Sequence, residues 1–95
     1  MTSSAAQSER ERLETELARL LAKRRAFEEA LSEFLHEGRR TGDALERAGG
    51  RSRDLEAKAR ALTKNVEMTR RDLRETAREI EALQQRLARL GAETP

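Results

Sequence analysis

The chain has 95 residues, with 20 Lys and Arg against 18 Asp and Glu, so 40% of it is charged while only 36% is hydrophobic. That length holds one small domain at most, and aromatics limited to Phe27 and Phe34 argue against a globule with a thick core. A net charge of +2 is too small to argue for nucleic acid by itself, and the absence of Cys excludes disulfides and thiolate chemistry.

Residues 1–8 are small and polar and read as a flexible N-terminus. They lack the basic start and apolar centre of a secretory signal. No apolar run reaches the length of a membrane span. Thr2 stands where N-myristoylation needs glycine, and no C-terminal Cys offers a prenylation site. The expectation is a cytoplasmic protein. Ser8 is placed to cap a helix, with Glu11 three residues on completing a capping box and Glu9 in the first turn.

The first predicted helix spans 9–37. Its apolar residues Leu13, Leu17, Leu20, Phe27, Leu31 and Phe34 keep a 3-4 spacing, which draws one narrow line along a helix. Leu21 and Leu35 widen that line on one side and Ala30 on the other, a width suited to a bundle. Arg24 interrupts the line and favours a particular register or partner over raw stability.

Gly38, Gly42, Gly49 and Gly50 crowd into 38–51, which reads as a turn because each glycine costs a helix about 1 kcal/mol relative to alanine. Gly38 fits the position just past a helix C-terminus, and Gly49-Gly50 is the stronger break. The 3-4 count nevertheless continues through this stretch without a phase jump, by way of Phe34, Gly38, Thr41, Leu45, Ala48, Ser52 and Leu55. A hairpin has no need of that continuity. One long bent helix in a parallel coiled-coil dimer is therefore the alternative to a hairpin.

The second predicted helix spans 52–90, with Ser52 as its cap, Gly91 as its stop and 91–95 as a tail that Pro95 closes. Its heptad line is unbroken: Leu55, Ala59, Leu62, Val66, Thr69, Leu73, Thr76, Ile80, Leu83, Leu87 and Leu90. Thr69 and Thr76 are weak core residues at successive positions, the kind of polar layer that sets register or partner choice. Asp54–Lys58, Glu56–Arg60 and Glu67–Arg71 are spaced as helix-supporting ion pairs. The arms of such a hairpin are unequal, so the end of the second helix around Leu83, Leu87 and Leu90 is expected to lie bare and to seek another subunit.

Nothing in the chain assembles chemistry. His36 is the one histidine and reads as a polar residue near a helix C-terminus rather than a metal ligand. No catalytic, cofactor-binding or metal residues are assigned. Arg70, Arg74 and Arg78 form a basic stripe at i, i+4, i+8 that suits an anionic contact, but Asp72, Glu75 and Glu79 interleave and no aromatic platform accompanies them, which argues against nucleic acid.

From Arg70 the chain reads RRDLRETAREIEALQQRLAR. This resembles the C-terminal helix of the KxDL-motif proteins, small coiled-coil subunits of complexes that position lysosomes. Asp72 and Leu73 match the DL of the motif, and Ile80, Leu83, Leu87, Ala88 and Arg89 follow in similar places, while Arg70 stands where the motif has lysine. The resemblance implies a non-catalytic subunit of a multi-subunit helical complex.

The expectations are thus an all-α, elongated antiparallel helical hairpin and a non-enzymatic structural or adaptor subunit without cofactors. It acts by pairing helices with protein partners, as a homo- or hetero-oligomer. A secretion-type export chaperone or stalk protein, and a basic coiled-coil nucleic-acid-binding protein, are the alternative functions.

Overall fold

A computed structural model of the protein describes the backbone of residues 2–93 and the side chains of residues 5–92. The described chain is all-α: helix α1 covers Thr2–Arg47 and helix α2 covers Arg53–Glu93, joined by a short turn into an antiparallel hairpin. The hairpin expected from the sequence is what forms, in place of one continuous helix.

The boundaries differ from the expected 9–37, 38–51, 52–90 and 91–95. α1 already includes Thr2, so Ser8 is an exposed interior residue and caps nothing. α1 also runs through Gly38 and Gly42 to Arg47. His36 accordingly sits well inside the helix, not at its C-terminus. α2 continues past Gly91 to Glu93. Met1, Thr94 and Pro95 lie outside the described residues, and so does what the sequence assigned to them.

Two glycines do make the turn. Gly49 and Gly50 have φ of 70° and 73°, where a residue with a Cβ is strained. The Gly50 N–H donates to the Leu45 carbonyl and the Gly49 N–H to the Glu46 carbonyl, each at 2.9 Å. This paired 6→1 and 5→2 arrangement is the Schellman closure of a helix C-terminus. Ser52 then caps α2: its Oγ accepts the Leu55 N–H at 3.3 Å, and its carbonyl accepts the first helical bond from the Glu56 N–H.

The hairpin divides into two packed units. The first joins α1 up to Arg25 with α2 from Arg74 onward. Its core is Leu13, Leu20, Ile80 and Leu83, with Leu17, Leu87 and Leu90 packed against them. The second unit is Ala26–Leu73, which contains the turn. Its apolar seam residues are half-buried, and its two buried side chains are threonines, Thr41 and Thr69.

The long α1 overturns the expectation of unequal arms. With 46 residues in α1 and 41 in α2, the end of α2 has a neighbour. Leu83 is buried, and Leu87 and Leu90 pack on the cluster that Leu13 and Leu20 anchor. That end is part of the core, not a bare sticky tip.

Candidate functional site

Helix pairing is the chemistry this chain offers, so the candidate site is the seam and the faces beside it. In the first unit, the Arg86 guanidinium meets Glu9 across the helices at 3.7 Å. That register brings Leu13 and Leu83 to one groove and carries Leu20 level with Thr76. Leu20 and Thr76 are the most deeply buried side chains, each 1% exposed.

In the second unit, Lys58 bonds Glu37 across the helices at 3.2 Å, and Arg40 approaches the same carboxylate at 3.6 Å. The sequence paired Lys58 with Asp54. The cross-helix partner wins because the antiparallel register places Glu37 opposite it. The Lys58 hydrogen bond holds the Glu37 carboxyl below its ordinary range, with the Lys58 charge adding to the effect. The same register sets Thr41 beside Leu55 and Phe27 level with Thr69. The Thr69 hydroxyl is satisfied within its own helix, donating to the Asn65 carbonyl at 2.7 Å.

The predicted seam residues fall into place unit by unit. Leu13, Leu17, Leu20, Ile80, Leu83, Leu87 and Leu90 form one cluster. Phe27, Leu31, Phe34, Leu55, Leu62, Val66 and Leu73 are half-buried in the second unit. The seam therefore closes within the chain. Arg24, at its interruption, is exposed and has a partner of its own.

What remains outside is a different set. Leu21 and Leu35 are 38% and 40% exposed, and Met68 is 46% exposed. On the flank of α1 opposite the two leucines, Glu9, Glu16, Ala30 and Glu37 are half-buried, and the three carboxylate side chains keep 40–43% of their surface exposed. Sequence reasoning located Leu21 and Leu35 and missed Met68, whose one signal is a large apolar residue off the heptad line. On that flank Arg19 pairs with Glu16 one turn back, and that hydrogen bond lowers the Glu16 carboxyl below its usual range.

Arg70, Arg74 and Arg78 are all exposed, with Glu75 and Glu79 exposed among them and Asp72 half-buried. Among the described residues no group of three or more His, Cys, Asp or Glu side chains is placed to hold a metal ion. No described helix is long and apolar enough to cross a membrane. No protein-family model matches the chain, and no curated protein or solved structure gives a significant match.

Proposed function

We propose that the protein is a non-enzymatic structural or adaptor subunit that holds other chains by helix packing. The observation that carries this is how little the hairpin buries for itself. Among the described residues four hydrophobic side chains are buried, while Leu21, Leu35 and Met68 stay outside on helices that are otherwise densely charged. Domains of this size seldom stabilise themselves by more than roughly 3–5 kcal/mol, and two paired helices offer one thin layer of core. The resemblance around Asp72 and Leu73 to subunits of helical complexes supports the same class of role.

The test is site-specific photocrosslinking in the native cell. A photoreactive residue at Leu21, Leu35 or Met68 should capture one defined partner in stoichiometric yield, and the same residue at exposed, charged Arg60 should not. Equal and diffuse labelling from all four positions would refute the reading. So would a stoichiometric organic cofactor on the protein purified from its host.

A further inference from the structure

The heptad line crosses the turn in phase although a hairpin does not require it. Leu45, Ala48, Ser52 and Leu55 keep the 3-4 spacing through residues that are non-helical at 48–52. A loop between two independent helices has no reason to hold that count. We propose that the chain is built for a second closed form: Gly49-Gly50 straighten into helix, α1 and α2 fuse, and two copies pair antiparallel by exchanging their arms. The occupant of each seam is then a second copy of this same chain. This inference rests on reading helix pairing as the protein's function and specifies one partner for it.

The register carries the argument. In the hairpin Arg86 faces Glu9 and Lys58 faces Glu37. Two fused helices crossing antiparallel at the turn reproduce both pairs between chains, with Glu9 of one copy against Arg86 of the partner subunit. Leu20 meets Thr76 of the partner subunit in the same way, and Leu13 meets the partner subunit's Leu83. The unbroken 3-4 count keeps the apolar line on one face from arm to arm, so no layer of the core is lost on opening. The one new layer is Ala48 against the partner subunit's Ala48 at the crossing point, where a small side chain lets the backbones approach. Exchange of an identical element is a low-cost route to a dimer because the contacts already exist.

The turn is built from parts that convert. It is held by the two backbone bonds that Gly49 and Gly50 donate and by the Ser52 cap. Fusion replaces these with ordinary helical bonds. Gly38 and Gly42 are already helical, so this part of the chain holds helix despite glycine. The glycines at 49 and 50 favour the closed hairpin in two ways, since they take φ near 70° without strain and disfavour straight helix.

Substitution of both should reverse the balance. Gly49→Ala with Gly50→Ala strains the hairpin and favours the fused helix, and the apparent Kd of dimerisation should fall by about a hundredfold or more, since each Gly→Ala favours helix roughly fivefold and the dimer contains four such sites. Arg53→Pro should act in the opposite sense. Position 53 is the first residue of α2 after its cap, where proline is accommodated, but proline there breaks a continuous helix. One alanine inserted after Gly50 leaves a hairpin possible and throws the fused seam out of phase, so it should also remain monomeric.

The readout is the distance between spin labels at Ala22→Cys and Ala77→Cys, both exposed positions of the first unit in a chain without native Cys. Doubly labelled chain is mixed with excess unlabelled chain and the size-exclusion fractions are measured separately. The monomer should give a short distance, and the dimer should lose it, because the labels then lie about 80 Å apart along one helix. The wild-type chain at high concentration supplies the same readout without any substitution at the turn. A dimer that keeps the short intrachain distance would overturn the proposal, as would a chain that stays monomeric both as wild type at high concentration and as the double alanine variant. Either result leaves the crosslinking test at Leu21, Leu35 and Met68 intact, so failure of the arm exchange and failure of the adaptor reading are separable.

Discussion

Leu20 and Leu21 are neighbours in sequence and opposites in the structure, which makes their alanine variants a stringent pair. Leu20 is 1% exposed, within the cluster of Leu13, Ile80 and Leu83, whereas Leu21 is 38% exposed. Leu→Ala in a core costs about 2–5 kcal/mol, the lower part of the range applying where neighbours can close the gap. A two-helix interface has few constraints against such closure, so Leu20→Ala should cost about 2–3 kcal/mol. Leu21→Ala removes side chain that is still partly in water and should cost less than about 1 kcal/mol, with helix propensity nearly unchanged. At roughly 4–8 °C per kcal/mol for a domain of this size, Leu20→Ala should lower Tm by about 10–20 °C and Leu21→Ala by less than about 8 °C. Thermal melts followed by circular dichroism at one low micromolar concentration measure both. Equal losses, or the larger loss at Leu21, would refute the inside-outside assignment of the two leucines. If Leu20→Ala is unfolded at the start of the melt, Leu20→Val gives the same ordering with a smaller change.

Gly42→Ala should raise stability by about 1 kcal/mol, because the residue lies inside α1 and a Cβ there meets open space; a urea midpoint that falls would refute its helical placement. Ser52→Ala should cost about 0.5–1 kcal/mol by removing the acceptor for the Leu55 N–H, and Ser52→Asp should restore most of it, both read from denaturant melts. Lys58→Met should lower stability slightly at pH 7, and the loss should shrink as pH falls below 4.5. Glu37 has a depressed folded pKa, so its contribution is present above its ordinary value of 4.5 and is lost as pH falls through the lowered one. The NMR titration midpoint of Glu37 should rise toward 4.5 in Lys58→Met, and an unmoved midpoint would rule out the cross-helix bond.

Local periodicity and local backbone chemistry suffice for part of this molecule. The all-α class, the residues of the seam, the Ser52 cap and the Gly49-Gly50 break all follow from spacing and from which residues tolerate which φ. Leu21 and Leu35 were legible as apolar residues beside the line. Tertiary pairing decided the rest. Gly38 and Gly42 look like helix terminators when each is charged about 1 kcal/mol against alanine. They remain helical because Thr41 and Leu45 are covered and Glu37 meets Lys58 once α2 lies alongside, which no local count includes. That extension of α1 makes the arms nearly equal, and so Leu83, Leu87 and Leu90 enter a core instead of protruding from it. The cross-helix partners beside the stripe were likewise hidden. Local spacing names no residue of the other helix, and only the antiparallel register places Arg86 at Glu9 and Lys58 at Glu37.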